Sequence, residues 1–245
     1  MPRRKPLLED STPRTISCSA IIVAGGQGSR FGSDIPKQLV TLAGYPILHH
    51  TLRRFEQASS ISRVVVVANQ EWNAEIAEIA NYALRYTPYQ VVDGGESRNE
   101  SIRNGVSALA DVPDESPVLI HDGVRPFASE ELILRVVKAL EHFDAVLPVF
   151  PSVDPLVRLS DSKVTQFVQR SEVVRGQSPQ GFILGDLRRG FRSSEKVQNF
   201  ETLFELLMAV NPQMLIGKVD GDHNNIKITS PIDRAVAGQI MIDGS

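Results

Sequence analysis

The sequence predicts an α/β fold: a mostly parallel sheet covered by helices on both faces. Three observations carry that prediction. Near-continuous β-branched runs such as Arg63 to Ala68 alternate with segments whose apolar residues fall at helical spacing. Two of the runs end in glycine pairs, Gly25-Gly26 and Gly94-Gly95. Apolar runs without polar alternation belong to strands buried on both faces, and strands alternating with helices require right-handed crossovers. At 245 residues with 42% hydrophobic content, the chain is long enough to bury one full core.

The elements follow in order. Ser19 to Ala24 is the first strand. Pro46 opens a helix with Leu48, Leu52 and Phe55 at i, i+4 and i+7, and Arg63 to Ala68 is the second strand. Trp72, Ile76, Ile79 and Ala83 mark the next helix, followed by a strand at Gln90 to Val92. Ser97-Arg98-Asn99-Glu100 then has the spacing of a capping box and opens a helix with Ile102, Val106 and Leu109 on one face. Pro117 to His121 is another buried strand. Leu132, Val136, Val137 and Leu140 mark its helix, and Ala145 to Phe150 is the strand after that. Ligands of such a sheet bind beyond the carboxyl ends of its strands.

From Pro151 to Gln180 the alternation breaks. Leu156 to Leu159 and Lys163 to Val168, separated by Ser160-Asp161-Ser162, predict a β-hairpin whose exposed apolar residues make it the expected dimerisation arm, 151–180. Beyond it, Phe200 to Ala209 reads as a helix, Met214 to Val219 and Asn225 to Ile228 as strands, and Ser230-Pro231-Ile232-Asp233 as a capped final helix. Residues 1–16, with four basic residues and three prolines, read as a disordered leader, which leaves 17–245 as one domain.

A formal net charge of -3 gives no overall pull toward nucleic acid, so a polyanion site has to be local and its ligand small. The single cysteine, Cys18, excludes an intrachain disulfide and a C-x-x-C metal site, and suits a reducing cytoplasm. No apolar run approaches the length of a membrane span, so no membrane partner is expected.

The chemistry starts at Ala24-Gly25-Gly26-Gln27-Gly28-Ser29-Arg30-Phe31, followed by Pro36-Lys37-Gln38. Glycines let backbone N–H groups approach phosphate oxygens, and Arg30 and Lys37 supply countercharge. A dinucleotide fingerprint fails here because its third glycine is replaced by Phe31. A Walker loop fails because Gly28 is followed by Ser29-Arg30 rather than Lys-Ser or Lys-Thr. The pattern instead resembles the signature of nucleotidyltransferases that condense a nucleoside triphosphate with a sugar or polyol phosphate.

Five further motifs follow. They are Gly94-Gly95 with Arg98 and Ser101, His121-Asp122-Gly123-Val124-Arg125-Pro126, Gly176-Gln177-Ser178-Pro179-Gln180, Asn225-Ile226-Lys227-Ile228-Thr229, and the Pro36-Lys37-Gln38 segment itself. Together, from about Cys18 to Ile242, they resemble the 2-C-methyl-D-erythritol 4-phosphate cytidylyltransferase family and its relatives, the ribitol 5-phosphate cytidylyltransferases. The resemblance implies a Rossmann-like sheet, CTP and a polyol phosphate as substrates, Mg²⁺ as cofactor, and a homodimer through the arm. It implies Arg30, Lys37 and Lys227 as catalytic residues, and Ala24, Gly25, Gly26, Gly28, Gly94, Gly95, Arg98 and Ser101 around the nucleotide. Arg125, Arg170 and Ser178 fall to the acceptor, with Arg170 and Ser178 reaching it from the partner's arm. Asp122 follows a buried strand and is the natural carboxylate to approach the metal, either as a ligand or as a group that orients its neighbours. Two residues also speak for themselves. Arg98 lies in a first helical turn, where a cation is electrostatically misplaced unless an anion is near. His121, ending a core strand, reads more readily as a hydrogen-bonded structural histidine than as an acid or base.

Three positions depart from the family pattern. Gln198-Asn199-Phe200-Glu201 stands in place of a Thr-Asp-[Asp/Glu] segment that usually opens the late helix, Asp154-Pro155 stands for an Asp-Thr pair at the base of the arm and so loses a hydroxyl, and Asn224 stands where aspartate is frequent. They cluster around the acceptor, so ribitol 5-phosphate remains open beside the erythritol phosphate. A non-catalytic nucleotide-binding protein and a UTP- or GTP-dependent sugar-1-phosphate enzyme also remain open at this point.

Overall fold

The computed structural model describes residues 17–26, 35–193 and 200–244. The leader expected over 1–16, the site residues Gly28 and Arg30, and the departure at Asn199 lie outside them.

Strand β1 (Cys18–Ala24) is followed by a short ladder, β2 (Thr41–Leu42) and β3 (Tyr45–Pro46). Its turn places Ala43 and Gly44 at positive φ, the mirror-type geometry that two-residue hairpins prefer. Then come α1 (Ile47–Gln57), β4 (Ile61–Ala68), α2 (Asn73–Ala83), β5 (Tyr89–Asp93), α3 (Arg98–Ser107) and β6 (Pro117–Asp122). Next are α4 (Glu130–Ala139), β7 (Ala145–Pro151), the hairpin β8 (Leu156–Ser160) and β9 (Lys163–Val168), β10 (Val174–Gly176) and β11 (Gln180–Ile183). The chain ends with α5 (Leu184–Ser193), α6 (Leu203–Val210), β12 (Ile216–Asp220) and α7 (Pro231–Ile242).

The main sheet runs β5-β4-β1-β6-β11-β7-β12, with β10 extending the β11 side of β7. Strands β5, β4, β1 and β6 pair in parallel, as do β7 and β12. Alternate residues of β1 divide between two cores. Ala20 and Ile22 pack with Leu52 and Phe55 of α1, Ile76 of α2 and Leu132 of α4. Ile21 packs on the other face with Ile102 of α3, Leu187 of α5 and Leu203 of α6. This period-two division explains why the strand reads as an unbroken apolar run.

Most boundaries fall where hydrophobic spacing puts them, and the capping boxes at Ser97 and Ser230 form as their sequences require. The differences have local causes. Strand β11 lies antiparallel between β6 and β7, which the alternating pattern would have left adjacent. Four residues after a proline are too short a run to declare a strand, yet Phe182 and Ile183 are fully wrapped by both neighbours. The late helix starts at Leu203 rather than Phe200, because Thr202 and Glu205 form a capping box of their own. Asn225 to Ile228, expected as a strand, is irregular. Its one strand-like bond runs from Ile228 N–H to the Val124 carbonyl (2.9 Å); Asn225 and Ile226 N–H turn back to the Asp222 and Asn224 carbonyls, and the Asn225 side chain donates to the Ser178 carbonyl.

The hairpin β8–β9 forms its own two-stranded sheet. Leu159, Val164 and Phe167 on it are exposed, Phe167 by 75%.

Candidate active site

The carboxyl ends of β1, β4, β5 and β6 meet at one edge of the sheet. At the β5 side, Gly25 follows β1 and Gly94 follows β5, and both lie against the end of β4 and the Ser101 hydroxyl. A Cβ on Gly94 would sit 3.0 Å from Ser101 Oγ and 3.2 Å from the Ala68 carbonyl, so a larger residue there would crowd both. Ser101 Oγ accepts a hydrogen bond from Gly95 N–H (3.1 Å), and Gly94 N–H donates to the Ala68 carbonyl (2.6 Å). Ala24, Gly25, Gly94, Gly95 and Ser101 are therefore brought together, as the sequence implied.

The turn that carries Lys37 is tied to the same edge. Gln38, 1% exposed, donates its side-chain amide to the Ala24 carbonyl, and the Lys37 side chain runs past Gly26. The role of Gln38 was not foreseen. A glutamine inside a run otherwise headed for burial was the available signal.

At the end of β6, the Asp122 carboxylate collects three cations. Oδ1 lies 3.4 Å from Arg98 Nη2; Oδ2 lies 3.2 Å from Arg125 Nε and 3.0 Å from Lys227 Nζ. Burial opposes ionisation of Asp122, but the charges of Lys227, Arg98 and Arg125 outweigh it and hold the carboxyl well below its usual range. Arg98, the misplaced cation of the first helical turn, thus has its anion. Three cations against one carboxylate leave surplus positive charge at this edge, which suits polyanionic ligands.

Lys227 is held between two fully buried residues, Asn225 and Ile228. On its far side the Asp233 carboxylate accepts hydrogen bonds from the N–H groups of Thr229 and Ser230, 2.8 Å each, which fixes the loop against α7.

One expectation needs correction. Ser178 is not offered to a partner subunit: it is 1% exposed and lies behind Asp122, its hydroxyl accepting from Asp122 N–H (3.2 Å). The reason is local, since β11 starts two residues later and draws Ser178 into the sheet. Arg125, expected at the acceptor, donates to Asp122, as Arg98 and Lys227 do, and to the Asn225 carbonyl (2.8 Å); burial lowers its pKa. Arg170 stands apart, on the hairpin side. It donates to the Val153 carbonyl (3.0 Å) at the base of the arm, and no hydrogen bond or ion pair joins it to the Asp122 cluster among the described residues.

His121 is fully buried, and burial pushes its pKa down to about 4. A neutral imidazole held this way is structural, as read from its position. Asp122 does not fit as an anchor for a protein-held metal ion. Both its oxygens carry cations, and the described residues contain no group of three or more His, Cys, Asp or Glu side chains able to hold an ion. A surface cavity of about 510 Å³ between α3 and α5 shares none of these residues; chemistry rather than concavity locates the site.

Residues 18–243 match the family model described as IspD, 2-C-methyl-D-erythritol 4-phosphate cytidylyltransferase. The chain is 35% identical over 226 residues to 2-C-methyl-D-erythritol 4-phosphate cytidylyltransferase of Cereibacter sphaeroides, covering 92% of this chain and 97% of that protein. It is 34% identical over 229 residues to ribitol-5-phosphate cytidylyltransferase of Lactiplantibacillus plantarum, covering 91% and 97%. Against the bifunctional ribulose 5-phosphate reductase/CDP-ribitol pyrophosphorylase Bcs1 of Haemophilus influenzae, identity is 30% over 224 residues; the chain spans 47% of that longer protein. Among solved structures, 4-diphosphocytidyl-2C-methyl-D-erythritol synthase from Anaerococcus prevotii superposes with a TM-score of 0.75 at 27% identity, covering 93% of this chain and 97% of that one.

Proposed function

Since the chain belongs to the 2-C-methyl-D-erythritol 4-phosphate cytidylyltransferase family, we propose that it transfers CMP from CTP to 2-C-methyl-D-erythritol 4-phosphate and releases pyrophosphate. The observation that carries this reading is the surplus of cations at Asp122, set beside the small-residue edge formed by Gly25, Gly94 and Ser101. One side accommodates a flat base through backbone groups. The other receives phosphates.

An acceptor phosphate oxygen forms the new bond to the α-phosphorus as the bond from that phosphorus to the β-phosphate bridging oxygen breaks. The electron pair leaves with pyrophosphate. A phosphate is already an anionic nucleophile at neutral pH, so no strong general base is needed, and none is offered by the neutral, buried His121. The protein's work is to juxtapose two polyanions and to stabilise charge at the α-phosphorus. Lys37, Lys227 and Arg30 do this, and Asp122 orients Arg98, Arg125 and Lys227 rather than ligating metal. CTP enters as its Mg²⁺ complex. Arg170, carried by the exposed hairpin, serves the acceptor phosphate of the partner subunit in a homodimer. None of the described helices is long and apolar enough to cross a membrane, and the enzyme works in the cytoplasm without nucleic acid.

The test is pyrophosphate release from CTP and Mg²⁺ with each polyol phosphate in turn. Release with the erythritol phosphate supports the reading; CTP binding without release from any acceptor overturns it in favour of a non-catalytic nucleotide-binding protein. Ribitol 5-phosphate is the second reading, supported by Pro155 at the base of the arm; identity to the Lactiplantibacillus plantarum enzyme, 34%, nearly equals that to the erythritol enzyme. It predicts release with ribitol 5-phosphate alone.

A further inference from the structure

Behind the Asp122 cluster, four hydrogen bonds close into a ring that joins three separate chain segments, and a fifth ties Asp122 to it. Asp122 N–H donates to Ser178 Oγ (3.2 Å), and Ser178 Oγ lies 3.0 Å from His121 Nδ1. His121 Nε2 lies 3.0 Å from the Arg125 carbonyl, Arg125 Nη1 donates to the Asn225 carbonyl (2.8 Å), and Asn225 Nδ2 donates to the Ser178 carbonyl (2.7 Å).

The direction of each bond follows from the groups. A carbonyl only accepts, so His121 carries its proton on Nε2 and its Nδ1 is an acceptor. Ser178, already accepting from a backbone N–H, gives its own proton to Nδ1. Donors and acceptors therefore match all round the ring, and His121, Ser178 and Asn225 are each 1% exposed or less. Any break in such a network strands a buried polar group, and the Asn225 Oδ1 atom is already buried without a partner among the described residues.

Gln177 extends the same device. Its side chain pairs with the backbone of Asp222 in both directions: Nε2 donates to the carbonyl (2.9 Å) and Oε1 accepts from N–H (3.1 Å). Gly221 lies so close to Gln177 Oε1 that any side chain there would collide with it. The adjacent residues Gln177 and Ser178 thus grip both ends of the irregular loop 221–225, and Lys227 follows it.

We infer that His121, Gln177, Ser178 and Asn225 are positioning residues for transfer: they reach no phosphate themselves, but set Asp122, Arg125 and Lys227 in register with one another. This assigns the Gly176-Gln177-Ser178-Pro179-Gln180 motif a role in alignment rather than in holding the acceptor. It rests on the cytidylyl-transfer reading of the site. Because misplacing a catalytic group by about 1 Å costs about 100-fold in rate, the loss should fall on the chemical step.

The experiment measures single turnover at saturating CTP and acceptor, with CTP affinity measured separately, for Ser178→Ala, His121→Phe, the double variant and Ser178→Thr. Ser178→Ala and His121→Phe are each expected to slow turnover about 10- to 100-fold with CTP affinity within about twofold of wild type. The double variant should be no more than about threefold slower than the worse single one, as members of one ring are not additive. Ser178→Thr, which keeps the hydroxyl, should recover to within about threefold of wild type. Folded Ser178→Ala at wild-type speed, multiplicative losses in the double variant, or Ser178→Thr as slow as Ser178→Ala overturns the inference. Should Ser178→Ala not fold, Asn225→Ala takes its place, since it removes the donor to the Ser178 carbonyl and keeps the backbone carbonyl that receives Arg125. A wild type that turns over no acceptor refutes the transfer reading alone. The ring is then tested by amide hydrogen exchange, where the same variants must lose protection over 121–128 and 221–229 but not in β1 and β4; unchanged protection there overturns it.

Discussion

The two sides of the cleft are built on different principles. The nucleotide side is made of parallel strand ends and glycine turns, so its shape is set by backbone geometry and by the two apolar cores beneath it. The phosphate side is made of loops after β6, before β11 and after β12, and its shape is set by side-chain hydrogen bonds among buried polar residues. Backbone geometry tolerates change at any side chain that does not fill the space. A polar network does not, since each member left unpaired in the interior costs about 1–3 kcal/mol.

The largest effect expected from breaking this contrast lies outside both sides, on the arm. Replacing exposed Leu159 and Phe167 of the hairpin with aspartate removes the apolar surface for pairing. On the proposed pairing through this arm, sedimentation should then report a monomer with almost no transfer activity, Arg170 being the residue proposed to serve the neighbouring site. An active monomer would show that each cleft is complete alone.

On the nucleotide side, Ser101→Ala removes one acceptor for Gly95 N–H while the backbone frame stays. A single such bond contributes about 0.5–1.5 kcal/mol, so KM for CTP should rise about 3- to 10-fold with kcat nearly unchanged. A fall in kcat without a change in KM would place Ser101 with the phosphate side instead.

A further difference separates the sides by pH. His121 is held neutral, with a pKa of about 4 in the fold against 6.5 when exposed. The unfolded chain therefore binds the extra proton first, so stability is full above pH 6.5 and declines as pH falls toward 4, by about 3 kcal/mol at most. Asp122, depressed by its cations, adds a loss of the same sign at still lower pH. Melting temperature against pH should show the decline in wild type and a flatter curve between pH 6.5 and 4 in His121→Phe. Equal slopes would mean that another group governs this window.

The same contrast decides what was legible in the chain. Wherever apolar spacing and capping dictate structure, the reading from residues holds: the strand ends at Ala24 and Ala68, the capping box at Ser97, the hairpin turn at Asp161, the structural role of His121. The phosphate side resisted because its order comes from pairings between residues far apart in sequence. Nothing local announces that Ser178 will bond His121 and Asp122, or that Asn225 will bond Ser178, so Ser178 read as a ligand contact and Asn225 to Ile228 as a strand. The short strand β11 was missed for a similar reason, since its burial is conferred by β6 and β7 rather than by its own length.

The most direct test of the account is Lys227→Met, assayed by single-turnover pyrophosphate release with saturating CTP, Mg²⁺ and acceptor. If Lys227 stabilises charge at the α-phosphorus, the rate should fall about 100- to 1000-fold, the loss typical of one transition-state contact, while CTP affinity changes by less than about threefold. A rate within a few-fold of wild type, or a loss wholly explained by weaker CTP binding, would contradict it.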